Sequence, residues 1–117
     1  MEKEETPLYQ VIVTRKAEIY FYELAEFMYK NMTIEKAEGI VTELQHTVLS
    51  LSKLFNRGAI EKNLIGEGKE FRFVVVKRTP RADIKVIYFV NALTKSVFVT
   101  DFFPTEKDLK QLSVRNR

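Results

Sequence analysis

Basic side chains in the second half of the chain are the residues best placed to do chemistry. Residues 69–85 contain six of them against two acidic residues, Glu70 and Asp83. The six are Lys69, Arg72, Lys77, Arg78, Arg81 and Lys85. Cations bind phosphates, and aromatic side chains such as Phe89 and Phe102 on the following strands can stack on bases, as in proteins that bind single-stranded RNA or DNA. The pattern indicates a surface for an anionic partner, with a solvated basic surface and a protein interface as the alternatives.

The charge of the whole chain shows the same division. Residues 1–52 carry five basic and nine acidic side chains, a net charge of −4. Residues 53–117 carry fourteen basic and seven acidic side chains, a net charge of +7. The formal net charge of +3 is therefore an average over an acidic first half and a basic second half. Such an asymmetry suggests that one face of the protein meets something anionic.

Composition excludes several classes of site. The 117 residues, 45% hydrophobic and 30% charged, suit one globular domain over 1–117, with residues 1–7 expected to be flexible. The absence of cysteine and the single histidine exclude a disulfide scaffold, a thiol nucleophile and a cysteine- or multi-histidine-ligated metal. We expect no metal and no cofactor. No apolar run approaches the roughly 20 residues of a membrane span, and the acidic N-terminus lacks a signal-peptide core, so we expect a cytoplasmic protein.

The first half of the chain predicts a strand followed by two helices. Residues 8–14 alternate and are rich in β-branched side chains, which predicts a strand. Thr14 can cap a helix whose apolar stripe recurs every three or four residues. The stripe consists of Ala17, Phe21, Leu24 and Met28. Thr33 is the candidate cap of a second helix, which Gly58 would end in a left-handed conformation, and the two helices should form an antiparallel hairpin.

The second half predicts a loop over residues 59–70, three strands and a short helix. The strands are residues 70–78, 82–91 and 95–103, separated by short turns. Thr105, with Asp108 three residues later, indicates a capping box that starts a helix over 105–112. We therefore predict an α+β domain in the order strand, helix, helix and three-strand antiparallel meander, with the helical hairpin packed on one face of the sheet and a short C-terminal helix.

Alternation along the strands predicts which face of the sheet carries the cations. A turn at residues 79–82 would place Arg78 opposite Asp83. One face is then wholly apolar and should lie under the helices; it consists of Phe71, Phe73, Val75, Val86, Tyr88, Val90, Val97 and Val99. The other face combines Arg72 and Lys85 with Phe89, Phe98 and Phe102. Alternatively, the C-terminal helix or a partner covers that second face, and Arg72 and Lys85 form salt bridges at its edge.

Other polar side chains are expected to be structural. His46 lies opposite the apolar seam of its helix and should be exposed, whereas Tyr88 should face the core. Asp101 is expected to form a hydrogen bond at the end of the sheet rather than to bind a metal. The tyrosines of the first helix should cover the sheet or a dimer surface.

The element order, with TDFFPTEKDLKQL closing the last strand, resembles the RelE/ParE superfamily of type II toxin–antitoxin toxins. The resemblance runs from LYQVIVTRKAE through DIKVIYFV to VFVTDFF and so covers nearly the whole chain. It implies a small basic prokaryotic toxin that is neutralised by a cognate antitoxin, with no membrane association. RelE-like members cleave messenger RNA on the ribosome, whereas ParE-like members inhibit DNA gyrase without being nucleases. Either a homodimer or a toxin–antitoxin hetero-oligomer would suit such a protein.

The resemblance also implies roles for individual residues. In a metal-independent RelE-like endoribonuclease, Arg72 and Lys85 would be the catalytic cations of the strands, and Lys107 would replace an arginine that the superfamily carries where this chain has Thr105. A RelE-like tyrosine is replaced by Gln111. RNA binding would involve Lys77, Arg78, Arg81 and Phe102. The two departures favour the alternatives, a ParE-like gyrase inhibitor or a degenerate member that only binds antitoxin.

Overall fold

The structure is a computed structural model that describes residues 8–117, so the flexibility expected for residues 1–7 lies outside the described residues. In chain order the elements are β1 (Gln10–Val13), α1 (Arg15–Asn31), α2 (Ile34–Ser50), β2 (Ala59–Ile60), a 3-10 helix (Lys62–Leu64), β3 (Arg72–Thr79), β4 (Ala82–Asn91), β5 (Ser96–Pro104) and α3 (Gln111–Arg115). They form one five-stranded sheet in the order β1-β5-β4-β3-β2. Strand β1 runs parallel to β5, and every other neighbouring pair is antiparallel. The predicted α+β fold with its central meander is confirmed.

The predicted starts of the first two helices are confirmed by their caps. The Thr14 hydroxyl accepts a hydrogen bond from the Ala17 N–H at 3.2 Å, and the Thr33 hydroxyl accepts one from the Lys36 N–H at 3.2 Å. Each cap pairs an N–H of the first helical turn that has no partner within the helix. The two helices bury their apolar stripes on one face of the sheet; the buried helical residues of this core are Ala17, Leu24, Met28, Ala37, Leu44 and Val48.

The predicted end of the second helix at Gly58 is wrong, because α2 ends at Ser50. Gly58 immediately precedes β2, and its N–H donates to the Tyr88 hydroxyl at 3.0 Å. A Cβ at this position would lie 2.5 Å from the Tyr88 hydroxyl oxygen and 2.8 Å from the Phe73 carbonyl oxygen. Close approach to β3 and β4, rather than a left-handed turn, therefore requires glycine here.

A β-bulge at Arg78 overturns the predicted register between β3 and β4. The ladder pairs Lys77 with Asp83 and resumes with Thr79 and Ala82, which leaves Arg78 without a partner strand residue. One extra residue moves the side chains on one side of it to the opposite face of the sheet. Val74 and Val76, which precede the bulge, therefore lie under the helices. The predicted helix-facing side chains of this strand, Phe71, Phe73 and Val75, therefore lie on the opposite face, whereas those predicted for β4 are correct.

A second bulge, at Thr100 in β5, has the same effect further along the sheet. Val97 and Val99 face the helices as predicted. The register then shifts so that Phe102 pairs with Val86 and also faces the helices, contrary to the prediction. Phe102 is 3% exposed, and its ring meets the edge of Phe21 at a centroid distance of 5.2 Å.

The second face of the sheet carries its own small core. It consists of Leu64, Phe71, Ile87, Phe103 and Leu112, and so joins the 3-10 helix and α3 to the sheet. This arrangement matches the alternative in which the C-terminal helix covers the second face. The predicted helix start at Thr105 is wrong, because the Thr105 N–H donates to the Asp83 carbonyl at 3.0 Å and its hydroxyl accepts from the Asp83 N–H at 3.2 Å. Residue 105 thus extends the sheet ladder, and α3 begins at Gln111.

Candidate functional site

The predicted cationic and aromatic surface is divided between the two faces of the sheet. Arg72 pairs with Tyr88 and shares the parity of the helix-covered residues. Lys85 pairs with Val75 and lies on the second face. The prediction that Arg72 and Lys85 share a face is therefore wrong, and the cause is the bulge at Arg78, which only the three-dimensional pairing reveals.

Arg72 is engaged with the chain around β2. Its Nη1 donates to the Gly58 carbonyl at 2.7 Å, and its Nη2 lies 3.6 Å from Glu70 Oε1. The side chain is 26% exposed. By binding this carbonyl, the guanidinium can hold the residue that precedes β2 close to β3. Part of its hydrogen-bonding capacity is therefore already used.

Lys85 forms a buried ion pair that the sequence did not predict. Its Nζ lies 2.6 Å from Glu61 Oε1 and 4.2 Å from the centroid of the Phe73 ring, and Glu61 is 2% exposed. Burial alone would raise the pKa of the Glu61 carboxyl, but hydrogen bonds from Lys85 and Asn63 outweigh it and hold the pKa below its ordinary value. The pair spans 24 residues of sequence and starts in a segment that we predicted as a loop. No spacing rule could have found it.

Two of the predicted RNA-binding cations lie at the β3–β4 hairpin. Lys77 is exposed, with its Nζ 3.4 Å from Asp83 Oδ1. Arg81 is exposed in the turn, where its backbone N–H donates to the Thr79 hydroxyl at 3.2 Å. Both ammonium and guanidinium groups remain open to solvent and could contact an anionic partner. The fourth RNA-binding candidate, Phe102, is buried under the helices and cannot stack on a base in this conformation.

Arg78 lies in a cleft between α1 and the segment that follows β5. Its side chain is 7% exposed, its guanidinium carbon lies 5.5 Å from the centroid of the Phe27 ring, and it forms an ion pair with Glu106. Lys107, the third predicted catalytic residue, lines the same cleft. The cleft encloses about 290 Å³, and its walls include Tyr20, Glu23, Phe27, Phe102 and Pro104. The structure therefore brings Arg78 and Lys107 together but leaves Arg72 and Lys85 elsewhere.

An arginine in α3, Arg115, also lines this cleft. Arg115 donates to both carboxylate oxygens of Asp101, at 2.9 Å and 2.5 Å, and its guanidinium carbon lies 3.9 Å from the Tyr20 ring centroid. Asp101 is fully buried and also accepts from the Asn116 amide at 3.0 Å. The expectation that Asp101 forms a hydrogen bond is confirmed. Its partner Arg115 was missed because the sequence gives no register for the C-terminal segment.

The remaining candidates occupy the places expected of structural residues. His46 is exposed on α2. Tyr88 is fully buried, and its hydroxyl donates to the Phe55 carbonyl at 2.9 Å while accepting from Gly58. Burial raises the pKa of the Tyr88 hydroxyl, because its charged form would lose hydration.

Two partly exposed rings on the second face could still stack on a base. Phe89 and Phe98 stack with a centroid distance of 5.0 Å, and Lys69 Nζ lies 5.1 Å from the Phe89 ring centroid. Across residues 8–117, no three potential metal-ligating acidic or histidine side chains converge. None of the helices in that range is long and apolar enough to cross a membrane.

Comparison with solved structures identifies the architecture. The chain is similar to one described as the chromosomal ParDE TA system from P. aeruginosa, with a TM-score of 0.63 and 19% sequence identity. The match covers 82% of this chain and 95% of the other. No family model matches the sequence, and no curated protein matches it. At this identity the likeness establishes a shared fold. In this chain, two helices lie against a sheet, and a short C-terminal helix follows the last strand.

Proposed function

We propose that this protein is the toxin of a type II toxin–antitoxin system and is held inactive by a cognate antitoxin. The observation that carries the proposal is the shared fold with a component of a ParDE TA system over 82% of the chain. The net charge of +7 over residues 53–117 supports an acidic partner, because complementary charge accelerates association and favours the right partner.

The geometry favours action by binding, as in a ParE-like inhibitor of DNA gyrase, over RNA cleavage. Cleavage needs cations that converge on one phosphate as charge develops in the transition state. Arg72 and Lys85 lie on opposite faces, and each already contacts a carbonyl or carboxylate oxygen. Binding to a protein target makes no such demand.

RNA cleavage is the second candidate, supported by the Phe89–Phe98 stack and Lys69 on the second face. In this alternative, Lys85 would contact phosphate on that face, and Lys107 would approach from the C-terminal segment. Arg72 would then act only through the position of β2. The protein would be a ribosome-dependent, metal-independent endoribonuclease.

Expression of the gene alone and with its neighbouring gene tests the toxin proposal. Growth should stop when the gene is induced alone and resume when the neighbour is co-expressed. Normal growth at high soluble expression would contradict a toxin, and partner binding without toxicity would indicate a member that only binds antitoxin. Supercoiling by purified gyrase and cleavage of ribosome-bound messenger RNA then separate the two modes, because each mode predicts activity in only one assay.

A further inference from the structure

Arg78 carries a buried guanidinium that pairs with Glu106 through Nη2 but leaves its Nε–H without a partner among the described residues. Its side chain is 7% exposed. Arginine carries five N–H donors, and a buried charge is costly unless it is paired and hydrogen-bonded. A guanidinium in this state favours a carboxylate that pairs with it and also accepts from the free Nε–H.

Glu106 is the acidic residue paired with Arg78, and it is an easily displaced partner. Its side chain is 52% exposed and comes from the turn between β5 and α3. An exposed carboxylate regains water when it leaves an ion pair, so its displacement costs little. Arg78 has no such compensation, since it stays buried between Phe27 and the sheet.

The chemistry of the cleft favours a single carboxylate over a phosphate chain. Lys107 supplies a second cation, whereas Arg115 is already held by Asp101. Glu23 lines the same cleft, and its charge repels a polyanionic backbone more strongly than it repels one carboxylate. The apolar walls suit the side chains next to an acidic residue in a peptide.

We propose that the Arg78 cleft is a seat for one carboxylate side chain from an acidic segment of a partner protein, and that Glu106 fills the seat until the segment binds. The partner carboxylate displaces Glu106 and pairs with Arg78. The identification of this partner as an antitoxin rests on the proposed function, but the seat itself does not.

Chemical rescue by acetate tests the seat without any partner. Thermal unfolding would be followed in potassium acetate and in potassium chloride at equal ionic strength. Glu106→Gln removes the carboxylate from the seat, so acetate should raise its melting temperature above the value in chloride by about 4 °C, because a ligand that binds only the folded state stabilises it. The wild type and Glu26→Gln, which loses an exposed ion pair with Lys30, should respond little. Equal responses in Glu106→Gln and the double variant Arg78→Gln/Glu106→Gln would overturn the proposal.

A matched peptide pair tests the acidic segment on the wild-type chain. Acetyl-Phe-Glu-Leu-amide should shift the nitrogen-15 NMR signal of the Arg78 Nε–H, whereas acetyl-Phe-Gln-Leu-amide should not. The signal is assigned by its loss in Arg78→Lys. Glu106→Gln should bind the glutamate peptide about threefold more tightly than the wild type, because the peptide no longer has to displace an exposed carboxylate. Equal shifts with both peptides, or a thymidine octanucleotide that moves the signal more strongly, would overturn the proposal. Neither readout involves growth arrest, so failure of the seat and failure of the toxin proposal are distinguishable.

Discussion

Glu61 and Lys85 form a pair whose burial gives it a large influence on stability. The carboxylate is 2% exposed, and the ammonium group lies against the Phe73 ring, so neither has free access to water. Removing one member leaves the other charge buried without compensation, which is more damaging than the loss of an exposed ion pair. This local requirement explains why Lys85 can be a structural cation in a sheet that also carries several exposed ones.

Replacement of Glu61 by glutamine should lower the free energy of unfolding by about 2 kcal/mol at pH 7. The pKa of Glu61 is lowered in the folded state from an ordinary value of 4.5. Its contribution is therefore fully present above pH 4.5 and is lost as the pH falls through the folded-state pKa. Urea unfolding at several pH values should show the difference between wild type and variant shrinking below pH 4.5.

Glu26→Gln is the matched control, because the Glu26–Lys30 pair is exposed and spans one helical turn. This variant should change the free energy of unfolding by no more than about 0.5 kcal/mol at pH 7. If Glu61→Gln were equally mild, the buried ion pair would not be a stabilising feature of the fold.

Tyr88 shows how one hydroxyl can connect a strand to a distant turn. It donates to the Phe55 carbonyl and accepts from the Gly58 N–H. Tyr88→Phe should lower the free energy of unfolding by about 2 kcal/mol, because two buried backbone groups lose their partner. Because burial raises the Tyr88 pKa, its neutral form stabilises the fold below pH 10.0, and this contribution falls as the pH rises further. Urea unfolding of Tyr88→Phe at pH 7, with Tyr22→Phe on an exposed tyrosine as control, checks the hydroxyl contribution.

At the scale of elements, two glycines have opposite roles. Gly58 lies against Tyr88 and the Phe73 carbonyl, where a Cβ would approach within 2.8 Å of the backbone. Gly39 lies within α2, and a Cβ there would meet nothing within 4 Å. The sequence predicted a helix end at Gly58, whereas the structure shows a close contact there and open space at Gly39.

Alanine at the two positions should therefore change stability in opposite directions. Gly58→Ala should lower the free energy of unfolding by about 3 kcal/mol, since β3 or Tyr88 must move. Gly39→Ala should raise it by about 1 kcal/mol, because alanine favours the helix and meets no neighbour. Thermal and urea unfolding of the two variants measure this contrast, and a destabilised Gly39→Ala would contradict the packing described for α2.

The C-terminal helix depends on one ion pair more than on its own length. Five residues make too short a helix to be stable alone, but Arg115 binds the buried Asp101 carboxylate through two donors. Arg115→Ala should lower the free energy of unfolding by about 3 kcal/mol. It should also speed amide hydrogen exchange at Leu112 and Asn116. Arg117→Ala, at an exposed neighbouring residue, should leave the free energy of unfolding and the exchange rates unchanged. Equal exchange rates in the two variants would show that the Arg115–Asp101 ion pair does not hold α3 in place.

For the molecule as a whole, the sequence predicted the elements better than their faces. Helix starts at Thr14 and Thr33 were predictable because a cap is a local interaction between a side chain and the next turn. The faces of β3 and of the part of β5 beyond Thr100 were not, because a bulge at Arg78 or Thr100 reverses the alternation of side chains without changing composition. Arg72 and Phe102 inherited that error, so the structure does not contain the single cationic and aromatic face that the alternation predicted.

The separation of Arg72 and Lys85 on opposite faces of the sheet allows a test of whether the two cations act at one site or through separate surfaces. Residues that contact one phosphate in a transition state act as a unit, so that the second substitution adds little to the first. Because these two cations face opposite sides, their effects on growth arrest should instead multiply. Growth rates after induction of Arg72→Ala, Lys85→Ala and the double variant, normalised to the amount of soluble folded protein, measure the coupling. Multiplicative effects would support binding to a target by separate surfaces, whereas a double variant no weaker than either single variant would return the two cations to one catalytic site.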